Sequence, residues 1–201
     1  MNQNAVLNSK INSEVDQLRI NIYRLIARAL SRPADKEFLD VLEELAGDDT
    51  ELGRAFGEVA VAAAGTTEAD AKEEYQNLFI GLGRGEILPY GSYYLTGFLN
   101  EKPLARLRND MVPLCIERDP SVKEPEDHAG ALMEMMAGLV DGSFGEVQPL
   151  ASQKQFFENH LYPWMPHLYR DIQNAESARL YKPIARVGEV FMEIEKAAFE
   201  M

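Results

Sequence analysis

Residues 124 to 128, "EPEDH", place three carboxylates and a histidine directly before an apolar run. Carboxylates and imidazoles serve in general acid–base catalysis and in metal binding, and carboxylates also recognise cationic groups on other proteins. The same five residues therefore suit a catalytic cluster, a metal site or the rim of a protein-binding surface. The rest of the chain has to decide among these three.

The histidines argue against a metal site. No two of His128, His160 and His167 stand three or four residues apart, which is the spacing that puts two ligands on one face of a helix. We therefore predict no metal and no cofactor. The enzyme alternative that stays open is a metal-assisted hydrolase that uses Asp127, His128 and His160.

Covalent catalysis and phosphate binding have no clear motif either. The chain lacks G-x-S-x-G, and Cys115 stands near no recognisable signature. Asp127 and His128 are adjacent, and neighbours on a helix point about 100° apart, so a relay would need a third group. The glycines of "GLGRGE" (81 to 86) follow no predicted strand, and no G-K-[ST] is present.

Composition narrows the class of partner. A chain of 201 residues is long enough to bury a substantial core in one domain. Its net charge of −13 disfavours nucleic acid and anionic membranes but permits a cationic partner. The single cysteine fits a reducing compartment, and no stretch resembles a secretion signal or the ~18-residue apolar span of a membrane helix. We expect a cytoplasmic protein without stable membrane insertion.

The first part of the chain has helical periodicity. A first helix ends before Pro33, and its apolar residues recur at steps of three and four: Ile11, Val15, Leu18, Ile22, Leu25, Ile26 and Ala29. Asp35 is predicted to cap a second helix that ends at Gly47, a third covers 50–64, and Thr67 opens a fourth. The apolar face of the fourth helix carries Tyr75, Leu78, Phe79 and Leu82. Its polar face carries Glu73, Glu74, Gln76 and Asn77.

The remainder is helical too, with a long loop predicted at 81–94. A helix runs from Pro103 to Met111, and Pro125 suits the first position of the next helix, whose acids then lie at the positive end of the helix dipole. The apolar stripe of that helix is Leu132, Met133, Met136, Leu139 and Val140, with His128 at its edge.

These patterns predict an all-α fold. A loop at 140–149, a helix broken near Pro163 and Pro166, and a last helix from Ser177 complete the chain, and no run alternates polar and apolar residues. We predict one helical bundle of about nine or more helices over residues 1–201. The alternative organisation has lobes at 1–118 and 125–201, joined by a hinge at 119–124.

Four segments together carry a family resemblance. "EPEDH" before the Leu/Met helix resembles the E-P-x-D-H signature of the TorD/DmsD/NarJ-type redox-enzyme maturation chaperones. "YQNLF" (75–79) is similar to their Y/W-x-x-L-F helix, and "LPYGSYYL" (88–95) to their proline-aromatic loop. "FFENHLYPWMPHLY" (156–169) is similar to their F-x-x-x-H-L-x-x-W segment. The four segments stand in the family's order and span about half of the chain.

The resemblance implies a cytoplasmic, all-helical chaperone that is not an enzyme. Such a protein binds the twin-arginine (Tat) signal peptide, and sometimes the mature part, of an apo molybdenum-cofactor oxidoreductase of the TMAO or DMSO reductase type until its cofactor is inserted. Carried over residue by residue, the signal-peptide site consists of Tyr75, Leu78, Phe79, Pro89, Ser92, Tyr93, Glu124, Asp127 and His128. Gly91, Ser92 and Tyr93 stand where relatives often have an acid or Trp. The family also implies weak guanine-nucleotide binding and a monomer or domain-swapped homodimer, with hinges near 119–124 and 141–148.

The expected ligand suits this part of the sequence. A Tat signal has paired arginines followed by an apolar stretch, so its receptor needs carboxylates beside an apolar groove. We expect Leu78, Phe79 and Tyr93 to hold the apolar stretch, and His128 to orient Asp127 or the peptide backbone. Asp127, with Glu124 or Glu126, would face the arginines. A helical adaptor without selectivity for arginine pairs is the other alternative.

Overall fold

The computed structural model describes residues 3–81 and 83–201, with side chains from residue 14 onward. The side chain of Ile11 and the whole of residue Leu82 therefore lie outside the described set. The helices are α1 Gln3–Ser31, α2 Lys36–Glu43, α3 Glu51–Ala64, α4 Glu68–Tyr75, α5 Gly91–Thr96, α6 Lys102–Met111, α7 Ala129–Asp141, α8 Leu150–Phe156, α9 Met165–Asn174 and α10 Tyr181–Glu200. Short π-helical segments, Gln76–Ile80 and Phe157–Leu161, continue α4 and α8, and a 3₁₀ turn, Val112–Leu114, follows α6.

The all-α prediction is confirmed. Within the described residues no β-strand forms, and the nearest feature is one isolated antiparallel bridge between Tyr90 and His128. That bridge joins the loop before α5 to the turn before α7. In the same part of the chain, no helix is long and apolar enough to cross a membrane.

The predicted helix starts at Asp35, Thr50 and Thr67 are correct. Asp35 Oδ1 accepts from the Phe38 N–H at 3.0 Å, and Thr50 Oγ1 accepts from the Gly53 N–H at 2.9 Å. Thr67 and Asp70 form a reciprocal capping box. Each cap satisfies a backbone donor that the first turn of a helix leaves free, which is why these residue types mark helix starts.

The core lies between α1, α7 and the C-terminal helices. α1 packs along α7, and α10 packs against α9 and α3. The largest side chains that are wholly or almost wholly buried are Trp164, Tyr23, Tyr169, Tyr181, Phe157 and Phe191. Burial of a large apolar side chain stabilises a fold by roughly 1.5–3 kcal/mol. Val15 and Leu18, expected on the inner face of the first helix, are instead 52% and 56% exposed, and among the described side chains of α1 burial begins at Ile20.

Glu74 corrects the predicted polar face of α4. Its side chain is only 6% exposed, and its two carboxylate oxygens accept hydrogen bonds from the N–H groups of Arg179, Leu180 and Tyr181 at 2.7 to 3.0 Å. Those N–H groups belong to the first turn of α10 and the residues before it. A carboxylate there satisfies free donors and favours the positive end of the helix dipole. Helical periodicity cannot reveal such a partner, because it lies over 100 residues away.

Several predicted boundaries differ from the structure. α2 ends at Glu43 rather than at Gly47, and α10 starts at Tyr181 rather than at Ser177. The loop predicted over 81–94 ends at Tyr90, because α5 starts at Gly91. The helix predicted from Pro125 starts at Ala129, with His128 as its N-cap, so the acids of "EPEDH" lie in the turn before the helix. The break predicted near Pro163 is confirmed, whereas Pro166 lies within the first turn of α9.

Candidate functional site

The "EPEDH" turn separates two cavities. Glu126 and His128 line one cavity, and Asp127 lines the other. The His128 N–H donates to the Pro125 carbonyl at 3.1 Å, so residues 125–128 form a turn, and successive side chains of this turn reach different cavities. The family signature therefore contributes side chains to the lining of both cavities.

The cavity on the Glu126 side is mostly apolar, with a volume of about 560 Å³. It lies between α1, the segment 111–126 and α7, and we call it the groove. Its apolar surface comes from Ala27, Met111, Ile116, Val122, Gly130, Ala131, Met135 and Phe144. Sequence reasoning missed these groove residues. The only available signal for Ala131 and Met135 was their position beside the predicted apolar stripe of α7.

Carboxylates surround the groove in excess over free cations. Its three arginines form ion pairs: Arg24 with Asp141, Arg28 with Asp35 at 2.8 Å, and Arg118 with Glu126 at 4.0 Å. In the described part of the chain, four further carboxylates at the groove have no ion-pair partner: Glu117, Asp119, Glu124 and Glu134. The groove therefore has the charge and polarity that suit a cationic, apolar peptide.

Glu126 is already neutralised. Arg108 donates to both of its carboxylate oxygens, at 3.1 and 2.8 Å. Burial raises the pKa of Glu126, but the hydrogen bonds from Arg108 and from the backbone, together with the charges of Arg108 and Arg118, hold that pKa below its usual value. Because a bidentate arginine pair uses both oxygens, Glu126 has less capacity for an incoming guanidinium than its free neighbours.

Asp127 is an internal residue. It is 3% exposed, and its Oδ2 accepts from the Ser92 N–H at 2.7 Å while its carbonyl oxygen accepts from the Gly91 N–H at 2.9 Å. Both donors belong to the start of α5. Asp127 Oδ1 and Ser92 Oγ are buried without a hydrogen-bond partner among the described residues. The expected contact between Asp127 and the arginines of a peptide would require this turn to open.

His128 caps α7 from inside the groove. Its Nδ1 accepts from the Gly130 N–H at 3.1 Å, and its ring packs edge-on against Tyr90 at 5.2 Å between centroids. Burial lowers the pKa of His128 to about 4, although Glu124 and Asp127 act in the opposite direction. The imidazole is therefore neutral at physiological pH.

Tyr75, Leu78 and Phe79 belong to the core. Leu78 is 0% exposed, and the rings of Tyr75 and Phe79 pack against each other and against Tyr181. The Tyr75 hydroxyl donates to the Leu30 carbonyl at 3.1 Å, and burial raises its pKa to about 12. None of the three lines the groove, so direct contact with a peptide stays a prediction.

The proline-aromatic loop supports the signature turn. Pro89 is buried, and its carbonyl accepts from the Ala129 N–H at 2.8 Å. Tyr90 donates its hydroxyl to the exposed Glu124, and burial together with this carboxylate raises the pKa of Tyr90. Tyr93 is half-buried, with the Arg84 guanidinium 5.2 Å from the centre of its ring. Of the predicted site residues, only Glu124 and His128 line the groove.

The second cavity has a volume of about 650 Å³ and lies between α5, α6 and the π-helical segment Phe157–Leu161. The buried His160 makes a 2.8 Å hydrogen bond to Asp110 on its wall, and burial lowers the pKa of His160. His128 faces the groove instead, so the proposed hydrolase residues are not gathered in one pocket. Among the residues the structure describes, no three His, Cys, Asp or Glu side chains are placed to share a metal ion.

Comparisons with known proteins point to one family. The model of the nitrate reductase delta subunit family matches residues 43–170. The chain is 27% identical to the chaperone protein TorD of Vibrio cholerae serotype O1 over 61% of this chain and 59% of that relative, so it spans about three fifths of that protein. It is 29% identical to the Tat proofreading chaperone DmsD of Salmonella typhi over 67% of each chain.

A solved structure has the same fold. The putative redox enzyme maturation protein from Archaeoglobus fulgidus superposes with a TM-score of 0.61 at 20% identity, over 87% of this chain and 93% of the other. The relatives with curated names are chaperones rather than enzymes. Since the family model covers well over half of its residues, the chain belongs to the nitrate reductase delta subunit family, as the resemblance to TorD/DmsD/NarJ-type proteins implied.

Proposed function

We propose that this chain is a cytoplasmic chaperone that binds the Tat signal peptide of a molybdenum-cofactor oxidoreductase of the TMAO or DMSO reductase type. Binding would take place in the groove and would hold the apo-enzyme back until its cofactor is inserted. The observation that carries the proposal is the apolar groove with four carboxylates that lack an ion-pair partner in the described chain. The name of the Salmonella typhi relative, a Tat proofreading chaperone, supports the choice of ligand.

The two parts of a Tat signal would use different parts of the groove. Met111, Ile116 and Met135 offer apolar surface to the hydrophobic stretch. Each arginine has five N–H donors and no acceptor, so it needs carboxylates that are still free, and Glu117 and Glu134 meet that need. Binding in this mode is sensitive to salt because the carboxylates lie at the surface.

The buried residues of the predicted site would support the groove without contacting the peptide. Leu78 and Phe79 pack in the core, where Phe79 contacts Tyr181. Asp127 binds the start of α5 through the Ser92 N–H and so holds the signature turn in place. Their direct contact with peptide, and that of Tyr75, Pro89, Ser92 and Tyr93, would require an opened state. A hinge at 119–124 is one route to that state, since this segment forms part of the groove.

A peptide titration tests the proposal. A fluorescein-labelled signal peptide of a DMSO or TMAO reductase is titrated with the protein, in parallel with a version in which both arginines are lysines. We expect the lysine version to bind more weakly, on the scale of the ~1–3 kcal/mol of charge-assisted hydrogen bonds, because lysine cannot pair in a bidentate manner.

The outcome separates the alternatives. Equal affinity for the two peptides would favour a helical adaptor without arginine selectivity, and absence of binding to either would contradict the proposal. Stoichiometric metal in purified protein, with hydrolytic activity that a chelator abolishes, would favour the hydrolase. Isolation of a bound client, identified by its mass, would name the oxidoreductase.

A further inference from the structure

The turn between α5 and α6 carries an exposed apolar surface. Every residue from 95 to 102 is exposed, and Leu95, Phe98 and Leu99 among them are 44%, 69% and 43% exposed. Single exposed apolar side chains are common on proteins, but three so close together in the chain form a patch that needs a reason. The lining of the groove does not include them, so the proposed peptide site does not account for this patch.

Hydrogen bonds fix the backbone of this turn. The Gly97 N–H donates to the Tyr93 carbonyl at 2.8 Å, and Gly97 has a φ of 83°, in the left-handed region that favours glycine. The Thr96 hydroxyl donates to the Ser92 carbonyl at 2.7 Å and accepts from the Phe98 N–H at 3.3 Å. Phe98 is therefore exposed on a turn of defined shape.

Cations lie beside the apolar patch. Lys102 and Arg106 stand four residues apart on α6, and both line the second cavity together with Leu95, so the three side chains belong to one side of the molecule. In the part of the chain that the structure describes, neither Lys102 nor Arg106 has an ion-pair partner. We call Leu95, Phe98, Leu99, Lys102 and Arg106 the α5–α6 corner.

The charge of this segment is opposite to that of the whole chain. Residues 91–109 contain the cations Lys102, Arg106 and Arg108 and a single acid, Glu101, whereas the net charge of the chain is −13. That net charge repels an anionic surface in general. An anionic partner would therefore meet favourable charge only in an orientation that presents the α5–α6 corner.

The corner has the chemistry of a membrane-docking surface. Proteins that bind membranes reversibly insert apolar side chains at the boundary between headgroups and acyl chains, and they place Lys or Arg among anionic headgroups. A fluid bilayer accepts the side chains of a protruding turn without a preformed pocket, whereas a folded protein partner would need a groove that matches the turn. Such docking is peripheral and needs no membrane-spanning helix.

We propose that the α5–α6 corner docks this protein reversibly on anionic lipid membranes. Phe98, Leu99 and Leu95 enter the interfacial layer, and Lys102 and Arg106 pair with lipid phosphates. The proposal does not depend on the proposed function, because the groove contains none of these side chains. Peptide binding and membrane docking therefore use different residues and do not compete for them.

Vesicle flotation tests the proposal. The whole chain is floated with vesicles that contain phosphatidylcholine and phosphatidylglycerol in equal parts, and in parallel with vesicles of phosphatidylcholine alone. We expect binding to the anionic vesicles at low salt, binding to the neutral vesicles that is weaker by roughly fivefold or more, and loss of the difference as salt is added.

Two double variants separate the apolar part of the corner from its charge. Phe98→Ser with Leu99→Ser removes apolar surface, and Lys102→Gln with Arg106→Gln removes two cations. Each pair should weaken binding to the anionic vesicles by roughly tenfold, since apolar burial and ionic attraction both contribute to such docking. All four side chains are exposed, so the urea midpoints should stay at the wild-type value.

Matched controls lie on other parts of the surface. Val61→Ser replaces a 77% exposed apolar residue of α3, and Lys72→Gln with Lys182→Gln changes the net charge by the same amount as the cation pair of the corner. Both controls should bind the anionic vesicles as the wild type does. Equal loss in the controls and in the corner variants would overturn the proposal, because it would show a response to overall composition and charge.

The remaining outcomes are also decisive. Wild-type protein that does not float with the anionic vesicles, or corner variants that float as well as the wild type, would overturn the proposal. If the wild type does not float but sediments as a dimer that Phe98→Ser with Leu99→Ser converts to a monomer, the corner is an interface between copies of this chain and lipid docking is wrong.

The peptide titration keeps this proposal separate from the proposed function. The corner variants should bind the twin-arginine peptide as tightly as the wild type, because the groove is unchanged. Wild-type protein that floats with the anionic vesicles but binds no peptide would contradict only the proposed function. Protein that prefers the twin-arginine peptide but does not float would contradict only the docking surface.

Discussion

Asp127 Oδ2 accepts a hydrogen bond from the Ser92 N–H at 2.7 Å, and this contact joins the turn before α7 to the start of α5. A second bond, from the Gly91 N–H to the Asp127 carbonyl at 2.9 Å, runs beside it. The carboxylate of the family signature is therefore used inside the protein. The groove carboxylates that lack an ion-pair partner in the described chain belong to other residues: Glu117, Asp119, Glu124 and Glu134.

Replacement of Asp127 should first affect stability. Asp127→Ala leaves the Ser92 N–H buried without an acceptor, so we expect the free energy of unfolding to fall by about 1–3 kcal/mol. Asp127→Asn keeps one acceptor oxygen, so its free energy of unfolding should fall by less than that of Asp127→Ala. Urea unfolding at pH 7 measures both, with the exposed Glu73→Ala as control. A loss of peptide binding in Asp127→Ala at unchanged stability would instead make Asp127 a direct peptide contact.

Glu74 should be necessary for the start of α10. Glu74→Gln replaces a carboxylate that accepts three backbone hydrogen bonds with an amide that has one acceptor oxygen. We expect a loss of about 1.5–3 kcal/mol in the free energy of unfolding, since bonds to charged groups are the stronger ones. The neighbouring Glu73→Gln is the matched control because Glu73 is exposed. Equal urea midpoints for the two variants would contradict this role.

Glu134 should contribute to arginine recognition. Glu134→Gln removes a free carboxylate at the groove with little change of shape, and we expect roughly two- to fivefold weaker binding of the twin-arginine peptide, as for an exposed ion pair. Binding of the twin-lysine peptide should change less. Glu58→Gln, which replaces another exposed glutamate on α3, is the control for net charge. The difference in affinity for the twin-arginine peptide between Glu134→Gln and Glu58→Gln should shrink as salt is added. A difference in affinity that does not respond to salt would argue against an ionic contact.

His128 should make the protein less stable in mild acid. In the unfolded chain this histidine takes up a proton below about pH 6.5, whereas burial in the folded state lowers its pKa to about 4. Stability therefore falls as the pH drops through this window, by about 2 kcal/mol between pH 7 and pH 5. His160, whose pKa burial also lowers, acts in the same direction.

The matched measurement is urea unfolding at pH 7 and pH 5. His128→Asn has no imidazole at this position, so its stability should drop less than that of the wild type between the two pH values. An identical drop in the two proteins would show that this ring does not control the acid response.

The sequence was sufficient for the fold class and for the caps. Asp35, Thr50 and Thr67 each act on a backbone donor three residues away, so a short window contains both partners. The apolar stripe of α7 is buried as its spacing predicts, from Leu132 to Val140. The order of the four family segments was also enough to identify the family, because it depends on the residues alone.

Tertiary structure alone decided how the predicted site residues are used. Asp127 and Glu74 look like solvent-facing acids in any local window, yet each is buried against backbone N–H groups from a distant part of the chain. The groove depends on α1, the segment 111–126 and α7 meeting in space, so Ile116 and Glu134 give no local sign of their role. Periodicity reports which face of a helix is apolar, but the element that covers that face, and the donors it brings, depend on long-range packing.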